Sequence, residues 1–323
     1  METNYQNLKD PIFICGEGRS GTKLLRDTLS RHSSINTFRC ETYIFVKSKI
    51  NRIKNLSQAE KSNDLDYLIK SVFACLISKN KNEAASLIKS KDFGVDIELL
   101  CIELKKNYEL KHNSLDIFDK AAHLLTVKNN KKRWLEKTPF HIYYLEEITT
   151  KYPNAKIILT LRDPKAVYAS WKKRDRDKSL IGVAKSWNKV AQEILNAKEK
   201  YTNVFLIKFE DLVTTPKEKL SELCSFIDEK FEESLLDAQV VNSNFEENKK
   251  IGFDKSIIDR WQKQLNKKEI SLIDDLCSEK ELLLGYELTQ DSLLIQLNLM
   301  DYLNYYLNYL IKKLKKLSSW LRV

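Results

Sequence analysis

Apolar residues in this chain follow two rhythms, short unbroken runs and longer stretches in which they return every three or four positions. Pro11 to Cys15 is the first run, and its continuity predicts a strand buried on both faces. Thr22 to Arg31 then reads as a helix with Leu24, Leu25, Thr28 and Leu29 on one side. Ile157 to Leu161 predicts a second strand, followed by a helix with Asp163 as its cap and Pro164 at its first position. Residues 203–228 predict a third strand, with Thr215 and Pro216 opening a helix; Glu210 and Asp211 brace that junction. Between residues 47 and 130 the period is helical throughout: Leu65, Leu68, Ile69, Val72, Phe73 and Leu76, then Ile97, Leu100, Cys101 and Leu104, then Leu115, Phe118, Ala122 and Leu125. Pro139 near a helix start, with Ile142, Leu145 and Ile148 behind it, marks another helix. Leu299, Leu303, Tyr306, Leu310, Leu314, Leu317 and Leu321 stripe a long helix over 293–323. Runs alternating with helical periods predict the α/β class, a parallel sheet flanked by helices in three layers. The expected organisation is one domain over 1–291, carrying a helical insertion at about 47–130, and a C-terminal amphipathic helix over 292–323.

Composition adds less. The 323 residues are 42% hydrophobic and 31% charged, ordinary for a globular protein with a full core. Six scattered cysteines form no C-x-x-C pair, so reduced thiols are expected, with neither a disulfide frame nor a zinc site. No signal-peptide pattern and no long apolar span is evident, which predicts a cytoplasmic protein. The net charge of +10 includes Lys312, Lys313, Lys315, Lys316 and Arg322 at the C-terminal end. That end, with Tyr302, Tyr305, Tyr306, Tyr309 and Trp320, suits either the anionic inner face of a membrane or docking against protein. The remaining excess suits an anionic ligand, and no nucleic-acid-binding module is apparent.

Candidate chemistry concentrates after the first strand. Three of the seven glycines, Gly16, Gly18 and Gly21, lie between that strand and a helix start, interleaved with Arg19, Ser20, Thr22 and Lys23. Strand, glycine-rich turn and helix N-terminus together make a cradle for an anion, a P-loop-like arrangement. The nucleotide-triphosphatase pattern G-x-x-x-x-G-K-[ST] is met in its glycine spacing, but Thr22 and Lys23 stand in reversed order. Lysine is then misplaced for β/γ-phosphates and the hydroxyl for Mg²⁺. Arg162, at the C-terminal end of a strand, and Ser170 on the following helix are a second candidate anion site. Lys255 and Arg260 are further candidate phosphate contacts. Glu41, Lys137 and His141 carry no assignable role from local pattern alone.

Arg19-Ser20-Gly21-Thr22 resembles the 5′-phosphosulfate loop of sulfotransferases that use 3′-phosphoadenosine 5′-phosphosulfate (PAPS). LRDPKAVYAS (161–170) resembles their 3′-phosphate motif, and FEDLVTTP (209–216) is similar to a further family feature. The likeness spans residues 11 to about 288 and lies near the tyrosylprotein and carbohydrate branches. It implies PAPS as co-substrate without a metal, held by Gly18, Arg19, Ser20, Gly21, Thr22, Lys23, Arg162, Ser170 and Lys255. It implies Glu41, in the Glu41-Thr42 pair, as base toward an acceptor hydroxyl, with His141 as the alternative. Lys137, in Lys137-Thr138-Pro139, assists the departing phosphate, and Arg19 and Thr22 stabilise the sulfonate. The implied activity is sulfation of a glycan or glycolipid hydroxyl, or else of a protein tyrosine. Readings from other classes are a P-loop kinase or NTPase using ATP with Mg²⁺, and a non-catalytic nucleotide-binding module.

Overall fold

The computed structural model describes residues 8–46, 54–91, 94–175, 178–237, 239–240, 250–251, 253–289 and 299–321. The elements run β1 (Ile12–Gly16), α1 (Thr22–Leu29), β2 (Ile35–Thr37), then five helices, α2 (Lys54–Lys61), α3 (Leu65–Ile77), α4 (Lys81–Ser90), α5 (Gly94–Asn107) and α6 (Ser114–Lys128). There follow β3 (Arg133–Lys137), a 3₁₀ turn (Pro139–Tyr144), α7 (Leu145–Lys151), β4 (Lys156–Leu161), α8 (Pro164–Arg174), α9 (Leu180–Lys200) and β5 (Val204–Lys208). The chain ends in α10 (Phe209–Thr214), α11 (Pro216–Phe226), the short pair β6 (Gln239–Val240) and β7 (Lys250–Ile251), α12 (Lys267–Leu283) and α13 (Leu299–Leu321).

Strands β1 to β5 form one parallel sheet in the order β2-β3-β1-β4-β5. Because successive side chains of a strand point to opposite faces, β1 divides its residues between two cores. Phe13 and Cys15 join Trp134, Ile157 and Leu159 beneath α3, α6, α8 and α9. Ile12 and Ile14 join Leu135 and Ile158 against Leu25 and Leu29 of α1 and Leu220 and Leu223 of α11. Helices on both faces make the three layers that the alternation of runs and periods predicts.

Two strands are absent from the hydrophobic pattern. The first, β2, is short and half polar, and β3 carries Arg133, Glu136 and Lys137, all buried. Charge hides β3 as a strand because its side chains find partners instead of water. Arg133 donates through Nε to the Asp10 carbonyl at 2.8 Å and also reaches the carbonyl of Ile227.

A buried charge cluster joins α8 to α12. Lys165 is 1% exposed, and its Nζ lies 2.6 Å from Asp274 and 2.8 Å from Glu281. The Asp163 carboxylate caps α8 by accepting the Lys165 and Ala166 N–H groups. Glu269 closes a capping box with Asn266 on α12 while binding Lys172 of α8 at 2.7 Å.

Helix α13 lies along α9 by its tyrosine face. The Lys185 ammonium sits 4.9 Å from the ring centres of both Tyr306 and Tyr309, and the Tyr302 hydroxyl donates to Asp275 at 2.6 Å. Leu303, Leu307, Leu310 and Leu314 remain exposed. The side chains of Leu299, Leu317 and Leu321 of the expected stripe, and that of Trp320, lie outside the described residues. No helix among the described residues is long and apolar enough to cross a membrane.

Removing one partner of a buried ion cluster leaves the others uncompensated, typically costing about 3–5 kcal/mol. Lys165→Met is therefore expected to lower stability by that order in denaturant unfolding, with α8 and α12 losing hydrogen-exchange protection together. A loss below about 1 kcal/mol, the range of an exposed pair, would show that the cluster does not hold these helices together.

Candidate active site

Close packing forces the shape of the loop after β1. Gly16 has φ +133°, and a Cβ there would lie 2.1 Å from the Thr160 carbonyl oxygen of β4. Gly21 has φ +82°, and its Cβ would lie 2.5 Å from Phe209 at the start of α10. Both positions therefore require glycine. Arg19, at φ +73°, takes the left-handed conformation without that excuse, a strain of the kind that collects at functional sites. Gly21 caps α1 with no side chain, and no acid stands in the first turn, so no side chain at the cap takes up the first helix N–H groups. The Ser20 hydroxyl is buried with no hydrogen-bond partner among the described residues.

Parallel strands bring their C-terminal ends to one edge, and each delivers a candidate residue there. Beyond β2 lies Glu41, and Lys137 ends β3. Their side chains meet at 2.6 Å, and the Tyr43 hydroxyl donates to the second Glu41 oxygen at 2.5 Å. Past β4, Arg162 is 8% exposed, its guanidinium lies 4.2 Å from the Phe209 ring centre, and its Nη2 donates to the Ile257 carbonyl at 3.1 Å. Its buried Nε has no hydrogen-bond partner among the described residues. Glu210 past β5 accepts the Asp163 N–H at 3.0 Å and the Tyr286 hydroxyl at 3.3 Å, bracing the strand–helix junction.

Ser170, expected to face Arg162, instead accepts a hydrogen bond from Arg19 Nε at 2.9 Å. The two glycine-loop and helix motifs are thereby tied directly. Burial, then the charges of Arg174 and Arg162, pull the Arg19 guanidinium down from its ordinary value. Lys23 is likewise pulled down, first by burial and, despite Asp27, by Arg26, Lys137 and Arg19. The cations thus converge on one region. Lys255 is exposed on the turn whose Ile257 carbonyl holds Arg162. His141 is fully buried, with its ring edge-on to Phe45 at 5.4 Å and its Nδ1 3.0 Å from Glu136. Among the described residues no cluster of His, Cys, Asp or Glu has metal-holding geometry.

Two acids escaped the sequence reading. Glu17 stands inside the loop, 4% exposed, and accepts from the Ser186 hydroxyl at 3.5 Å. Burial raises its carboxyl to about 7, against hydrogen bonds from Ser186 and the Gly18 N–H and the charge of Lys178. An acid between glycines in an otherwise cationic loop was the available signal. Glu136, buried beside Lys137, was signalled only by its alternation with Trp134 along β3.

A charged Glu17 opposes an anion in the loop, and a protonated one does not. Sulfate keeps its two charges across this range, so it isolates the effect. Sulfate affinity, read from thermal shift, is expected to rise as pH falls through about 7. A repulsion of about 1.4 kcal/mol is tenfold in affinity. In Glu17→Gln the rise should vanish; the same pH slope in both proteins would remove Glu17 from the site.

A sequence model described as "Sulfotransferase family" matches residues 11–233. Compared by sequence alone, no curated protein matches the chain. Among solved structures, the sulfotransferase domain from the curacin biosynthetic pathway aligns with TM-score 0.57 at 23% identity, covering 88% of this chain and 100% of that one. The sulfotransferase domain from the Synechococcus PCC 7002 olefin synthase aligns with TM-score 0.54 at 17% identity, covering 92% and 99%. At these identities the structural likeness speaks for the fold. The family match covers more than half of the sequence, from the β1 strand past α11, and includes both the glycine loop and the Arg162–Ser170 segment: this chain belongs to the sulfotransferase family.

Proposed function

We propose that the protein moves the sulfuryl group of PAPS to a hydroxyl of a glycan or glycolipid. The observation that carries this reading is the Arg19–Ser170 hydrogen bond, which brings the two motifs into contact and supports reading them as one anion site. Gly18 to Lys23 would take the 5′-phosphosulfate, and Arg162, Ser170 and Lys255 the 3′-phosphate. The unpartnered Ser20 Oγ and Arg162 Nε supply buried donors toward the two ends. When bound, PAPS supplies an activated sulfuryl group whose S–O bond to phosphate breaks as a bond to the acceptor oxygen forms.

The protein's part is positioning and electrostatics, as for other transfers in which charge spreads over equatorial oxygens. Glu41 accepts hydrogen bonds from Lys137 and Tyr43, which aim its carboxyl group as a base toward the acceptor hydroxyl would need. Lys137, Arg19 and Thr22 face the charge that develops on the sulfonate and the leaving phosphate. Phe140, 41% exposed on the turn after Lys137, stacks edge-on to Tyr143 with ring centres 4.9 Å apart. Lys189 lies 4.6 Å from the Tyr143 ring centre. Such an aromatic shelf beside a cation suits the apolar face of a sugar ring. The outer leucines of α13, with Lys312 and Lys313 on the same helix, favour an acceptor presented at an anionic lipid surface.

With labelled PAPS and a cell-envelope extract, label is expected to enter a glycan or glycolipid fraction. Absence of transfer together with absence of adenosine 3′,5′-bisphosphate binding would overturn the assignment, and Mg²⁺-dependent ATP binding in its place would favour a kinase. Arg19→Ala and Lys137→Ala should each lower kcat by roughly 10²-fold or more, the usual cost of losing a transition-state donor. The full chain should sediment with phosphatidylglycerol vesicles and not with phosphatidylcholine ones, and the triple change Leu307→Ser, Leu310→Ser, Leu314→Ser should abolish this. Equal sedimentation with both lipids, or with neither, would remove the anionic membrane from the account.

A further inference from the structure

Behind the Glu41–Lys137 pair lies a carboxylate that neither motif includes. Glu136 is fully buried, and by strand alternation it points to the face of β3 opposite Lys137. One of its oxygens, Oε1, receives three donors. They are the Thr42 N–H at 3.2 Å, the Thr42 hydroxyl at 2.9 Å and the Thr138 hydroxyl at 2.6 Å. Thr138 Oγ1 in turn accepts the Tyr43 N–H at 3.4 Å. On the other side His141 brings Nδ1 within 3.0 Å of Oε2. Burial works against a charged Glu136, but His141, Thr138 and Thr42 outweigh it and hold its carboxyl below the usual range.

The donors are not arbitrary. Thr42 directly follows Glu41, and Thr138 directly follows Lys137. The Glu41 segment has left the sheet after β2, so no strand pairing sets its height over β3, and Tyr43 holds a left-handed φ of 51°. The ion pair joins only the tips of the Glu41 and Lys137 side chains, so the backbone of the Glu41 loop needs a tie of its own to the strand end. We infer that Glu136 is a positioning residue that registers the Glu41 loop against the Lys137 strand end, with His141 as its electrostatic support. This rests on the reading of Glu41 and Lys137 as the groups that act on acceptor and leaving phosphate. It also gives His141 a place: it holds the base's tether rather than the acceptor's proton.

The test is a set of kinetic cycles in the full chain. Glu136→Gln and Thr42→Val should each keep adenosine 3′,5′-bisphosphate affinity and the KM for PAPS within about twofold. Their kcat should fall by roughly tenfold or more, since misplacement of a reacting group by about 1 Å can cost 10²-fold. A residue that acts through Glu41 has little left to lose once Glu41 is gone. Glu136→Gln is therefore expected to have no further effect on kcat in a Glu41→Gln background. Additive losses would overturn the inference in favour of a general structural role. So would wild-type kcat in Glu136→Gln and Thr42→Val while Glu41→Gln and Lys137→Ala are impaired. Wild-type kcat in Glu41→Gln and Lys137→Ala would instead bring down the underlying reading, and the positioning role with it. Should Glu136→Gln fail to fold, Thr42→Val, which removes one hydroxyl of the tie, decides the matter by the same cycle.

Discussion

The hydrogen bond from Arg19 to Ser170 spans 151 residues of sequence and a few ångströms of space. It is available because β1 and β4 are parallel neighbours that end at the same edge of the sheet. The loop after β1 and the first turns of α8 after β4 therefore leave in the same direction. That constraint governs the rest of the site. Glu41, Lys137, Arg162 and Glu210 follow β2, β3, β4 and β5 in turn, so one edge collects a group from every strand. Open α/β sheets bind ligands at this edge because the strand order reverses beside the first strand and leaves a crevice there.

Gathering cations at one edge has a cost, which the structure offsets in two ways. Exposed charges such as Lys23 keep some solvent, while buried ones are paired or stacked. Arg162 lies over Phe209, Lys137 meets Glu41, and Lys165 is held among Asp163, Asp274 and Glu281. Burial without partners would be prohibitive for any of them. Among the buried polar atoms that find no hydrogen-bond partner in the described residues are Ser20 Oγ, in the glycine loop, and Arg162 Nε, after β4. Glu17 works in the opposite sense, an acid set inside the glycine loop, whose burial raises its carboxyl to about 7.

Helix α13 shows how one amphipathic pattern can serve two surfaces. Its tyrosines carry hydroxyls and ring faces that Asp275 and Lys185 can bind, so that side lies against the body of the protein. Its leucines offer only apolar area and stay outside. The tyrosine face meets the body of the protein, while the leucine face stays open, so the two halves of the pattern belong to different sides of one helix.

Much of this was legible before any coordinates. The loop from Gly16 to Lys23 is local, because strand, glycines and helix start are consecutive and their conformational needs are written in residue type. The uninterrupted apolar runs named β1, β4 and β5, and the helical periods named the flanking layer, since periodicity follows from backbone geometry alone. Strand β3 was hidden because its charges are stable only with partners from distant segments: Arg133 with Asp10 and Ile227, Lys137 with Glu41, Glu136 with Thr42. The Ser170 partner was likewise undecidable, because residue type shows that a serine can bind a cation and not which cation stands opposite. Chain order alone determined the glycine loop and the two-sided sheet; which side chains meet at its edge was decided by tertiary packing, because a hydrogen bond depends on distance in space and sequence separation does not set that distance.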